Sequence, residues 1–166
     1  MRKNTLTLAM AMLCALGAAG PSVDAAAGTG YFTIEGDINA SLDIQVKDCV
    51  VSAPGNTLMN GLSLKIEHSE MIPVGTLHVP PFGGDKTYVR NAPGDATVSF
   101  SFLMHKVARD RQLFEANVGE GRPGRVVVTV NDNGRSGEMT FVGVGLTQAG
   151  ANKGTVSGSL KWTCAP

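Results

Sequence analysis

YFTIEGDINASLDIQVKD, residues 31–48, decides how the rest of the chain is read. Its even positions carry Phe32, Ile34, Gly36, Ile38, Ala40, Leu42, Ile44 and Val46, and the odd positions from Thr33 to Lys47 are all polar. A strict period of two puts one set of side chains on one face of extended backbone, so this is β-structure with one face buried. The stretch 32–46 is long for one strand, and Gly36, Asp37 or Asn39 marks a bend or bulge in it. It reads either as one long half-buried strand or as two strands joined by a bend.

The same alternation recurs downstream. Leu62, Leu64 and Ile66 alternate with Ser63, Lys65 and Glu67, and Val98, Phe100, Phe102 and Met104 with Thr97, Ser99 and Ser101. Val126, Val128 and Val130 lead into Asn131-Asp132-Asn133-Gly134, a strong turn signal, after which Met139 and Phe141 begin a returning strand. At the end, Val156, Leu160, Trp162 and Cys164 face away from Ser157, Ser159, Lys161 and Thr163. Only residues 105–116, HKVARDRQLFEA, admit a short helix, without a clean apolar face. The 21 glycines and 8 prolines suit short strands and many turns. The expected fold is all-β: a single antiparallel β-sandwich of immunoglobulin-like architecture, about seven or eight strands, with one disulfide.

Residues 1–27, MRKNTLTLAMAMLCALGAAGPSVDAAA, show a short basic head, an apolar run and small residues ending in Ala25-Ala26-Ala27. This is the pattern of a cleaved secretory signal, and the apolar run is too short for a permanent membrane anchor. Cleavage after Ala25 or Ala27 leaves one mature domain, 28–166, exported to a periplasm or beyond the cell. Removing the signal also removes Cys14, leaving Cys49 and Cys164 in an oxidising compartment, where a disulfide is the default. Closing nearly the whole domain into one loop is worth about 4–5 kcal/mol in the chain-entropy account.

Charge and motifs exclude more than they include. Lys plus Arg and Asp plus Glu number 14 each, with no basic stripe of the kind nucleic-acid binding requires. No nucleophile elbow, HExxH, Walker loop or dinucleotide fingerprint occurs, and an enzyme is not expected. His68, Met71, His78, Met104 and His105 combine imidazole and thioether groups that suit Cu(I), which makes copper the one cofactor to weigh. The segment 71–94 interleaves Pro73, Pro80 and Pro81 with Val79, Phe82 and Tyr88, and is the candidate binding loop.

Two resemblances bear on function. CVVSAPGN (49–56) together with SGEMTFVGVGLTQAGANKGTVSGSLKWTC (136–164) resembles the mycobacterial 19 kDa lipoprotein antigen family. That likeness implies a small exported β-sandwich with an early cysteine bonded to one at the C-terminus, acting as a surface or secreted antigen with no catalytic residues. The chain lacks that family's lipidated cysteine at the signal exit. FTIEGDINASLDIQV (32–46) is also similar to the N-terminal segment of pilus subunits assembled by donor-strand exchange, which implies polymerisation through that strand. The expected function is therefore an exported, non-enzymatic module that binds an unidentified protein or small ligand. A pilus-like subunit and a periplasmic copper binder are the alternatives.

Overall fold

The computed structural model describes residues 28–51, 61–92, 95–105, 113–118 and 123–166. The proposed signal, 1–27, lies outside the described residues. Among the described residues ten strands form: β1 (Gly28–Gly36), β2 (Ala40–Val51), β3 (Leu62–His68), β4 (Ile72–Val79), β5 (Thr87–Arg90), β6 (Ser99–His105), β7 (Leu113–Val118), β8 (Arg125–Asn131), β9 (Ser136–Gln148) and β10 (Ala151–Cys164). The stretch weighed as a helix is strand where it is described, with His105 ending β6 and Leu113 opening β7.

The long alternating segment is a hairpin. β1 and β2 pair antiparallel with Phe32 opposite Leu42 and Ile34 opposite Ala40, and the chain reverses between Gly36 and Asn39. Gly36 takes φ +124°, a conformation open to glycine, and the Asn39 side chain both accepts from its N–H and donates to its carbonyl. Residues facing each other across the pair have numbers of the same parity, so the buried set stays even-numbered through the turn. Period two therefore reports which side is buried and is blind to the reversal.

The architecture differs from the expected sandwich. In the order β10-β1-β2-β3-β4-β6-β7-β9, eight strands close into a barrel, because β9 also pairs with β10. β9 makes the closure possible by serving two partners along one edge. Its residues 136–142 pair with β8, whereas Leu146 and Thr147 pair with Ala116 and Glu115 of β7. β8 and then β5 extend the sheet from the first half of β9. Register shifts between Val46 and Asp48, Ile66 and His68, Asn152 and Thr155, and Val156 and Gly158 add local twist, which curls a sheet onto itself instead of splitting it into two layers.

The barrel is filled. Phe32, Phe100, Phe102 and Phe141 meet at its centre with ring centroids 5.2–6.4 Å apart. Ile34, Ile44, Leu64, Ile66, Leu77, Met104 and Leu160 are buried around them. Apolar side chains point inward and polar ones outward, the inverse of the outward apolar band of membrane-spanning barrels. No described helix is long and apolar enough to cross a membrane.

Trp162 packs where β8, β9 and β10 run side by side, opposite Gly137 in the ladder. A Cβ on Gly137 would collide with the indole ring. Gly137→Ala is expected to lose about 1–3 kcal/mol by overpacking. Since Trp162 is the only tryptophan, its fluorescence reports the displacement directly; unchanged emission and stability would show that the ring moves freely.

The Cys49–Cys164 disulfide is present, with Cα atoms 6.2 Å apart and a sequence separation of 115. It joins β2 to β10 across the level of Gly28, the first residue of β1, which pairs with Cys164 on one side and Val46 on the other. The bond thus clamps the strands on both sides of β1. Cys164 also donates its N–H to the Arg135 carbonyl at 2.7 Å.

Among the described residues, one fully buried charge interrupts the apolar set. Arg90, at the end of β5, donates from Nε to the Asp95 carbonyl at 3.2 Å and from Nη1 to the Gly124 carbonyl at 2.7 Å. It ties the segment after β5 to the approach to β8. Beside it, the Asp95 carboxylate accepts from the Thr97 hydroxyl and N–H and from the Asn91 N–H. The Thr97 hydroxyl first, then these N–H groups and the nearby Arg90 charge, hold the Asp95 carboxyl below the ordinary aspartate range. A depressed folded-state value contributes stability that is present above the ordinary value and is lost as pH falls through the depressed one. An NMR titration of Asp95 should show this depression, and Thr97→Val should move the midpoint up; an unmoved midpoint would remove the hydroxyl as the cause.

Candidate functional site

The residues singled out as a binding loop hold that loop in place. Val79 is the last residue of β4 and fully buried. Tyr88 lies in β5, nearly buried; its hydroxyl donates to the Gly84 carbonyl at 2.7 Å and accepts from the Gly83 N–H at 2.8 Å. Phe82 stacks on the Tyr88 ring at 5.9 Å, and the Lys86 ammonium sits 5.1 Å from the same ring. Asp85 fastens the loop to the turn after β8 by accepting the Asn133 N–H at 3.0 Å. These side chains are spent on each other.

The five His and Met residues divide between the two ends of β4. His68 ends β3, where its Nδ1 accepts the N–H groups of Glu70 and Met71 at 3.3 and 3.2 Å. An accepting Nδ1 leaves the ring proton on Nε2, so this imidazole serves its turn and offers no free lone pair. Met71 is partly buried against the core, and its carbonyl accepts the His105 N–H at 2.8 Å. The His105 Nδ1 is enclosed without a hydrogen-bond partner among the described residues. Met104 points into the core. His78 faces outward near the other end of β4, about 20 Å from Ile72 at the strand rise. Among the described residues no three His, Cys, Asp or Glu side chains come together in a way that could hold a metal ion.

A different surface gathers polar groups. On the outer side of β10, β1, β2 and β3, ladder register aligns side chains in rows. One row runs Glu138, Lys161, Tyr31, Asp43, and the next Thr163, Thr29, Gln45, Glu67. Neighbours within a row stand about 5 Å apart and the rows about 7 Å apart. Two grooves follow these rows. The larger, about 620 Å³, is lined by Thr29, Tyr31, Asp43, Gln45, Lys161 and Thr163 among others. The second, about 440 Å³, includes Lys47, Glu67, His68 and Ser69, and shares Asp43 and Gln45 with the first.

The electrostatics of this face are nearly closed. Lys161 pairs with Glu138 at 3.4 Å, and Lys47 and Lys65 converge on Glu67 at 3.9 and 3.1 Å. Asp43 has no ion pair among the described residues, and Tyr31 is an exposed aromatic ring, 44% accessible, directly opposite it. β1 and β2 are paired on both edges, so their backbone groups are committed to the barrel. Only side chains can contact a ligand here.

Sequence reasoning passed over Tyr31, Asp43, Gln45 and Lys161 because they are outward positions of alternating strands. The one local signal is Tyr31, an aromatic residue in the odd-numbered, otherwise polar set. Comparison with models of protein families, with curated proteins and with solved structures finds no match.

Proposed function

We propose that this chain is an exported, non-enzymatic binding module, and that the outer face of β10, β1, β2 and β3 is where it binds. The observation that carries the reading is the pair of grooves joined through Asp43 and Gln45, with the exposed Tyr31 ring at the centre of a largely neutralised polar grid. A closed, side-chain-filled barrel is a rigid platform, and such a platform holds an outer grid of side chains in fixed register. The signal-like residues 1–27 and the Cys49–Cys164 bond support export. The resemblance to a secreted antigen family agrees with a surface-acting role.

Polymerisation by donor-strand exchange finds less support. It requires a free N-terminal segment and an incomplete sheet, whereas residues 32–36 and 40–46 lie within β1 and β2, each paired on both sides.

The test uses the exported protein and envelope fragments of the cell that makes it. Tyr31→Ala with Asp43→Ala is expected to reduce cosedimentation with those fragments about tenfold or more, as for an aromatic anchor at the centre of a contact. The unfolding free energy should change by no more than about 1 kcal/mol, because both side chains are outward. Equal retention of variant and parent would move the binding site elsewhere.

A further inference from the structure

We infer that the ligand of this face is a neutral polysaccharide, lying across the strands with one sugar ring stacked on Tyr31. The inference rests on the reading of the face as a binding site and adds the chemical class. A pyranose presents two kinds of surface: C–H groups on its faces and hydroxyls, each a donor and an acceptor, around its rim. The grid offers the complement of both. The Tyr31 ring face, negative in its quadrupole, takes the C–H face. Asp43, one strand away, can accept from two neighbouring hydroxyls at once, and Gln45 beside it both donates and accepts. The Thr29 and Thr163 hydroxyls, paired across β1 and β10, add two groups that do either.

Charge and backbone argue against other polymers. An anionic chain needs unpaired cations, but the lysines lining the grooves, Lys47 and Lys161, already face Glu67 and Glu138. An extended peptide gains most of its affinity by adding to a free strand edge, and the strands under this face have none. A small metabolite calls for enclosure; these grooves are shallow troughs along a sheet. From β10 to β3 the face spans about 14 Å, three interstrand spacings, so it accommodates more than one ring of a chain.

The experiment pairs affinity electrophoresis with envelope cosedimentation. The exported protein is run through native gels containing glycogen, mixed-linkage β-glucan, mannan or galactomannan. Envelope fragments are assayed before and after periodate, which cleaves vicinal diols. The expected result is retardation by at least one of the polysaccharides, with Tyr31→Ala lowering the affinity about tenfold or more and Tyr31→Phe retaining it. Envelope binding abolished by periodate, with none of the four polysaccharides retarding the protein, also supports a glycan and places it outside those probes. If envelope binding depends on Tyr31 and Asp43 but survives periodate, the sugar assignment is overturned while the face stands, and a protein ligand replaces it. If neither envelope nor polysaccharide binds, both readings fall.

Discussion

Replacing Cys164 by serine is expected to lower the thermal midpoint by about 10–20 °C, corresponding to about 2–5 kcal/mol. The reason lies in where the bond sits as much as in the length of chain it closes. With a sequence separation of 115, it restricts the unfolded chain over most of the described barrel. In the folded state it holds β2 and β10 together at the level where β1 starts. β1 joins β10 to β2, while β9 holds the other side of β10, so loosening that corner weakens the ring at the β10–β1 seam. Calorimetry of the parent with and without reductant, beside Cys49→Ser and Cys164→Ser, checks this. The two variants and the reduced parent should melt together. A shift below about 3 °C in all three would mean that the strand ladders close the barrel unaided.

The second large effect is expected at Arg90. Arg90→Met keeps much of the side-chain volume but withdraws the donors, leaving the Asp95 and Gly124 carbonyls without them. A hydrogen bond from a charged donor contributes about 1.5–3 kcal/mol, so losing both should cost the variant about 3–5 kcal/mol in denaturant unfolding. Arg90→Lys should recover only part of this, because an ammonium on a flexible stem cannot reproduce the fork that reaches two carbonyls. A loss below about 1 kcal/mol for Arg90→Met would show that water reaches the carbonyls. The effect should appear together with weaker protection of β5 amides, because Arg90 is the last residue of that four-residue strand.

How much of this was legible beforehand differs from element to element. Phe32, Ile34, Leu42, Ile44, Val46, Leu62, Leu64 and Ile66 are buried as their alternation requires. The turn at 131–134 connects β8 to β9 as its Asn-Asp-Asn-Gly composition indicates. The Cys49–Cys164 bond agrees with the expectation drawn from the signal-like residues 1–27 and the cysteine count. Arg90 carried no such sign: nothing in TYVR distinguishes a buried guanidinium from a solvated one, since the carbonyls it reaches include that of distant Gly124. Tyr88 and Phe82 drew attention as exposed aromatics in a proline-rich loop, yet they stack on each other and close it.

The sequence by itself determined that the chain is all-β and which face of its alternating segments is buried. These follow from local stereochemistry: side chains alternate along extended backbone, and apolar ones leave water. Only the tertiary structure decided that the sheet closes into a barrel, and that Tyr31, Asp43, Gln45 and Lys161 share one surface. Both depend on which strands become neighbours and in what register, and alternation is the same for every pairing that keeps parity. The choice is made by the twist added at the bulges, by the glycines that let strands approach, and by β9 pairing with β7, β8 and β10 at once.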